Sequence, residues 1–315
     1  MIRWRIVFMG TPAFACPSLE RLLSGPDAVV ALVCQPDRPR GRGLALVAPE
    51  TKQLALARGV PVLQPQRLRD PAFQEQLRGL APDLIVVAAY GKILPRSVLD
   101  IPPHGSINVH ASLLPRHRGA APIQWAILAG DRVTGVTIMM MNEEMDAGDV
   151  LLERRTPITD DDTAGTLGDR LAHLGAAALA EAVDGLQQGT LRPRPQPSEG
   201  VIFAPRIERE QGRLDWRRPA DELARTVRAF APAPSAFTTL GGQVLKVHRA
   251  VAEPGGRATS APGTVLDAGP GGILVTTGAG RLLLLEVQLE GRRRLSAADF
   301  LAGHRVPAGT CLGAE

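Results

Sequence analysis

Along the first half of the chain, nearly unbroken apolar runs alternate with segments whose apolar residues recur at helical spacing. The runs are RIVFM (5–9), AVVALVC (28–34), PVLQP (61–65) and LIVVAAY (84–90), and helix-like stretches near 17–23, 51–58 and 72–79 fall between them. Strands that are apolar on both faces and separated by helices predict a parallel sheet covered on both sides. SINVHA (106–111) and GVTIMMM (135–141) continue the strands, with a helix near 121–129 between them, and DVLLERRTPI (149–158) reads as a later, more exposed strand. An Ala- and Leu-rich helix over about 163–188 then ends at Gly189. This half of the chain is α/β.

Prolines at 193, 195, 197 and 205, together with Gly200, suit neither a helix nor a central strand, so 191–209 reads as a linker that follows a domain over 1–190. Beyond it the pattern changes. One helix, DELARTVRAFA (221–231), precedes β-runs cut by glycines: AFTTLGGQVLKVHRA (236–250) as a hairpin, then GTVLDA, GILVTTGAGRLLLLEV and a last helix near SAADFLAG. Several short strands with Gly turns predict a small β-barrel, OB-like or otherwise, over 210–315. A length of 315 residues suits two domains, each with its own core.

Composition narrows the class. Apolar residues at 44% and charged residues at 22% are globular values, and no run nears the ~18 apolar residues of a membrane helix. The opening MIRWRIVFMGTPAFAC imitates a secretory leader, but its apolar part, Ile6 to Met9, is too short and is broken by Gly10 and Pro12, so it reads as a first strand. Cys16, Cys34 and Cys311 are odd in number and far apart, which suggests neither a disulfide framework nor a zinc site and fits a reducing cytoplasm. Charge is uneven: residues 1–205 hold 21 basic and 21 acidic residues, whereas 206–315 hold 15 and 11. The basic residues are Arg except at Lys52, Lys92 and Lys246, and the planar Arg fork suits phosphate. A basic appendage on a neutral domain points to a polyanionic partner, or to a plain solvated face.

Candidate chemistry starts in INVHASLLPRHRG (107–119). Alternation on a strand sets Asn108 and His110 on one face, about 7 Å apart along the chain, and the C-terminal end of a central parallel strand is where open α/β folds bind ligands. An Asn-x-His pair by itself also suits a satisfied polar spot on an edge strand. A partner is available in NEEMDAGDVLL (142–152), where Asp146 and Asp149 flank Gly148 in the loop after GVTIMMM. A carboxylate beside a histidine orients and charges it or takes a proton. Asp149 reads as a turn residue, and Asp146 as that partner or as an ordinary loop carboxylate.

FMGTPAFA, QPDRPRGRG, VVAAYGKILP, INVHASLLPRHRGAAPIQWAILAGD and TGVTIMMMNEEMDAGDVL, in this order and followed by a linker and a basic β-domain, resemble the methionyl-tRNA formyltransferase family over essentially the whole chain. The resemblance implies an N-terminal Rossmann-like parallel-sheet formyltransferase domain and a C-terminal OB-like tRNA-binding domain. It implies transfer of a formyl group from 10-formyltetrahydrofolate to the α-amine of methionine on the initiator tRNA, for translation initiation, with no metal and no membrane; a cytoplasmic monomer is expected. In this resemblance Asn108 and His110 donate to the oxyanion, and Asp146 accepts the surplus amine proton and holds His110 protonated. Ser112, Leu113, Leu114 and Pro115 match the folate-binding segment, and Phe14 matches a position lining the methionine pocket. Arg42 lies in the Gly- and Arg-rich loop 37–52 that reaches the acceptor end, where Leu44, Ala45 and Leu46 stand in place of lysines common in related sequences. In RAFAPAPSAFTTLGG, Ala231 and Ala233 replace the family's usual Asn and Trp. Since 11 of 315 residues are aromatic, recognition by phosphate and helix shape is expected, with Arg228, Lys246, Arg249 and Arg292 to Arg294 contributing. Lys246 and Arg249 lie three apart and face opposite ways unless their strand bends.

Three other readings compete. A dinucleotide-dependent dehydrogenase requires Gly-x-Gly-x-x-Gly, and MGTPAFACPS offers Gly10 alone. A folate-dependent formyltransferase acting on a small amine, a nucleotide or an amino sugar, shares the Asn, His and Asp but gives no reason for the basic domain. A binding module with an inactive first domain sits poorly with the intact trio.

Overall fold

The computed structural model describes residues 3–40, 45–254 and 260–314. The chain divides into two compact units: Met1–Pro122, Val133–Pro157 and Gly168–Pro205 form the first, and Ile123–Arg132, Ile158–Leu167 and Arg206–Glu315 the second.

The first unit contains strands β1 (Arg5–Gly10), β2 (Ala28–Val33), β3 (Arg38–Arg40), β4 (Ala45–Val47), β5 (Val62–Leu63), β6 (Leu84–Ala88), β7 (Ser106–His110), β8 (Val133–Met140) and β9 (Val150–Pro157). Its main sheet has the order β5-β2-β1-β6-β7-β8-β9, while β3 and β4 pair as a separate hairpin. The first five strands of that order are parallel, as the apolar runs predict; β8 and β9 are antiparallel additions at one edge. Residues 141–149 join β8 to β9, fewer than the dozen or more that a parallel crossover needs. Helices α1 (Cys16–Leu23), α2 (Glu50–Ala57), α3 (Pro71–Gly79) and α4 (Arg96–Leu99) fill the connections. The periodicity places all of these but α4, whose four residues carry too little pattern to read.

Ile6, Val7, Phe8 and Met9 of β1 are fully buried, so this strand is covered on both faces. On one side Val7, Met9, Val33, Ile85 and Val87 pack with Phe73 and Leu77 of α3. Gly10 ends β1 because the neighbouring strand comes close: a Cβ there would lie 2.8 Å from the Ala88 carbonyl oxygen and 2.7 Å from the Phe8 ring. The lone glycine is therefore a packing residue.

Residues up to Pro205 in the proline-rich stretch belong to the first unit. Arg194 and Val150 exchange backbone hydrogen bonds of 2.7 and 2.9 Å along the edge of β9. Farther on, Ile202 and Ala204 bracket Arg118, with Arg118 N donating to Ile202 O at 2.9 Å and Ala204 N to Arg118 O at 2.7 Å. The stretch is a strap laid on the unit.

The second unit includes α5 (Pro122–Leu128) for most of its length and the first turn of α6 (Ala164–Gln187). It then adds α7 (Ala220–Ala229), β10 (Ala236–Leu240), β11 (Gln243–Glu253), β12 (Val265–Gly269), β13 (Gly272–Thr276), β14 (Arg281–Leu289), β15 (Leu295–Ser296) and α8 (Ala297–Gly303). These strands form an antiparallel sheet in the order β10-β11-β14-β13-β12, with β15 on β14. Among the described residues, no helix is long and apolar enough to cross a membrane.

Candidate active site

β7 sits beside β6 near the middle of the sheet, with Asn108 level with Val87. Ile107 and Val109 are buried on one face; Asn108 and His110 share the other, Asn108 half-buried and His110 only 5% exposed. Among the described residues the Asn108 amide makes no hydrogen bond. Thr137 of β8, opposite His110 and fully buried, fixes the turn that follows: its hydroxyl donates to Ser112 O at 2.7 Å and accepts from Leu114 N at 3.1 Å. The Ser112 hydroxyl donates to Arg116 O at 2.6 Å, closing the turn on itself.

That turn supplies a partner for the imidazole. His110 Nε2 lies 3.0 Å from the backbone oxygen of His117; a carbonyl only accepts, so Nε2 carries the hydrogen. The other ring nitrogen, Nδ1, faces Asp146 Oδ2 at 3.6 Å, within reach of its charge but too far for a hydrogen bond. With Nε2–H committed to His117, Nδ1 is an acceptor in the neutral ring and a donor in the imidazolium. Asp146 Oδ2 accepts from Gly119 N at 2.8 Å, which leaves Oδ1 without a protein partner among the described residues. Asp146 holds φ at +50° and His117 at +59°, a left-handed backbone that costs a side-chain-bearing residue ~1–3 kcal/mol and clusters at working sites. The structure thus gathers a free amide, an imidazole nitrogen and a carboxylate oxygen from residues 108, 110 and 146.

Of the remaining predicted residues, Leu113 and Pro115 are half-buried, Leu114 is buried, and Ser112 is fully buried with its hydroxyl engaged in the turn. The Leu114–Pro115 peptide is cis. Phe14 is half-buried in a single 3-10 turn, Ala13–Ala15, directly after β1. Arg42 lies outside the described residues. Among the described residues no group of three or more His, Cys, Asp or Glu could hold a metal.

The formyl transferase family profile matches residues 4–183 and the profile of the formyl transferase C-terminal domain matches 206–305. The chain is 56% identical over 310 residues to the methionyl-tRNA formyltransferase of Myxococcus xanthus, covering 98% of each chain. It is 50% identical over 308 residues to that of Pelobacter propionicus, covering 98% of this chain and 96% of the relative. The chain belongs to the methionyl-tRNA formyltransferase family. Among solved structures, HypX from Aquifex aeolicus in complex with tetrahydrofolic acid shares the fold with a TM-score of 0.64 at 20% identity, over 98% of this chain and 51% of that one. The chain thus spans about half the length of HypX. WlaRD, a sugar 3N-formyl transferase, gives a TM-score of 0.68 at 14% identity, over 93% of this chain and all of the other.

Three groups of this formyltransferase escape sequence reasoning: Thr137, the His117 carbonyl, and Gln196 of the strap. Thr137 sits in a strand as any Thr would, a backbone oxygen leaves no mark in a sequence, and Gln196 lies in a run that reads as a spacer. At the root of the predicted acceptor-end loop, Lys52 Nζ is 2.8 Å from Asp37 Oδ2 and 2.8 Å from Gln64 Oε1, and Gln64 Nε2 donates to Asp37 Oδ1 at 2.8 Å. The hydrogen bond from Gln64, and after it that from Lys52, holds the Asp37 carboxyl below the usual aspartate value.

In the second unit, β11 changes register against β14 on both sides of Arg249. Leu245 and Val247 are buried, and the next buried residue is Ala250. An extra residue here shifts the alternation by one, so Lys246 and Arg249 both fall on the outer phase. This is the bend that the three-residue spacing requires. Arg228 departs from expectation: it is half-buried, its guanidinium donating to Thr159 O at 3.3 Å and Asp162 O at 3.0 Å. Burial lowers its pKa, against the pull of the neighbouring Asp160. It is an anchor within the unit, since a helix pattern shows a cation but not the carbonyls it meets. Arg294 pairs with Glu286.

Proposed function

We propose that Asn108, His110 and Asp146 are the groups through which this formyltransferase moves a formyl group from 10-formyltetrahydrofolate to the α-amine of methionine on the initiator tRNA. The neutral amine nitrogen attacks the formyl carbon, and the carbonyl π-pair moves onto oxygen. The Asn108 amide and the His110 Nδ1–H donate to that oxyanion, which is where preorganised donors lower a barrier most. The new ammonium gives its proton to Asp146 Oδ1, directly or through a water. Collapse re-forms the carbonyl and breaks the bond to the folate N10, which leaves with the proton that Asp146 took up, returned directly or through the same water. The products are formylmethionyl-tRNA and tetrahydrofolate.

Leu113 and Pro115 fit one apolar wall for the flat pterin, with Ser112 and Leu114 shaping the turn that presents them. Phe14 is assigned to the methionine side chain, Arg42 to the tRNA acceptor end, and Lys246 and Arg249 to its phosphates. The single observation that carries the reading is the Asp146 carboxylate 3.6 Å from His110 Nδ1, with an unspent amide two residues away on the same strand face. Formyl transfer from labelled folate to methionyl-tRNA is the test. His110→Ala and Asp146→Asn are expected to lower kcat by ~10²–10⁴ while tRNA binding persists; near-normal turnover in either variant overturns the mechanism.

A further inference from the structure

Gln196 stands where two of the segments that frame the imidazole meet. Its amide nitrogen donates to Asp146 O at 2.8 Å and to Gly148 O at 2.7 Å. Its amide oxygen accepts from Arg118 Nε at 3.1 Å and from Nη2 at 2.6 Å. All four bonds of the side chain are thus used, and they have one polarity: a carbonyl oxygen turned toward Asp146 and Gly148 would face two other carbonyl oxygens, and Arg118 accepts from nothing. The two segments it ties together are those that hold His110. The turn 116–119 provides His117 O for Nε2, and Gly119 N for the carboxylate; the loop 146–148 provides the carboxylate itself.

The strap makes this a preset contact. Gln196 lies between Pro195 and Pro197; a residue before proline is driven to extended backbone, and each ring fixes its own φ. Arg194, before Pro195, is pinned to Val150 by its backbone pair. The direction in which Gln196 projects is therefore fixed by the strap's own backbone and its pairing with Val150. That loop has reason to need a clamp, because Asp146 is at φ +50° and its carbonyl would otherwise depend on solvent.

We propose that Gln196 is a positioning residue for the reaction: through the carbonyls of Asp146 and Gly148 it fixes where the Asp146 carboxylate stands relative to His110 Nδ1. The role rests on the assignment of Asp146 made above. The test uses the full chain and a double-mutant cycle. Gln196→Met keeps length and removes both hydrogen-bonding ends; Gln196→Glu keeps the acceptor for Arg118 but turns an oxygen toward the two carbonyls, and serves if the Met variant loses its fold. Each is expected to lower kcat on the order of 100-fold, the cost of an ångström of misplacement, with KM for tRNA and for folate unchanged. In an Asp146→Asn background the same substitution is expected to leave the residual rate unchanged, because the group it positions is already gone. An equal fold-loss in both backgrounds, a loss confined to KM, or no loss overturns the proposal. Near-normal turnover of Asp146→Asn alone instead removes the assignment of the carboxylate, and the role of Gln196 with it.

Discussion

Gly119→Ala tests whether the strap's close approach sets the turn that holds the Asp146 carboxylate. Gly119 has φ +125°, and a Cβ on it would lie 2.6 Å from the Ala204 carbonyl oxygen and 3.1 Å from its carbon. Backbone in that region costs an L-residue ~1–3 kcal/mol. The contact adds to this, since 2.6 Å from a backbone oxygen is closer than a Cβ can stay and the strap itself must shift. Two hydrogen bonds ride on that position, Ala204 N to Arg118 O at 2.7 Å and Ala121 N to Ala204 O at 3.1 Å, and weakening one costs about 1 kcal/mol. The expected destabilisation is about 2–4 kcal/mol, read as a melting-temperature drop of roughly 5–12 °C for a unit of this size. Because Gly119 N also holds the Asp146 carboxylate at 2.8 Å, single-turnover formyl transfer is expected to slow by ~10²-fold. A variant with the parent's melting temperature and rate would show that the turn is held by something else.

Asn108→Ala is expected to reduce kcat by ~10²–10³, the loss of one oxyanion donor, with KM little changed; steady-state kinetics on both substrates decide it. Lys246→Ala and Arg249→Ala are each expected to flatten the plot of log affinity for tRNA against log salt by about 0.7–0.9, and a parental slope in either would place that side chain off the interface. Asp37, its carboxyl held below the ordinary 3.8, adds stability that is complete above that pH and is lost as pH falls through the lower value of the folded state. Asp37→Asn is therefore expected to flatten the acid end of a melting-temperature profile. Burial raises the Cys34 thiol to about 11, so in native protein at pH 8 an alkylating reagent is expected to label the exposed Cys311 and to reach Cys34 only after unfolding, as peptide mass spectrometry would show.

The parallel strands were legible because burial on both faces forces continuous apolar runs, and the period of two by itself puts Asn108 and His110 on one face. The family motifs brought in Asp146, 36 positions on from His110 in number and adjacent to it in space. What stayed hidden depends on groups that do not show in a residue's identity. The prolines at 193, 195 and 197 each remove an N–H, and the run reads as a spacer; yet a pair at Arg194, the Gln196 side chain and a bracket around Arg118 lay it on the unit. The charge of Arg228 is visible in the sequence, and the Thr159 and Asp162 carbonyls it meets are not. The bulge at Arg249 was posed by the sequence as a condition and met by the backbone.

The salt link between Asp37 and Lys52, with Gln64 bridging both, closes the excursion from the sheet at its root. A carboxylate and an ammonium 15 positions apart in the chain meet there at 2.8 Å, so both ends of the segment are joined by charge as well as by backbone.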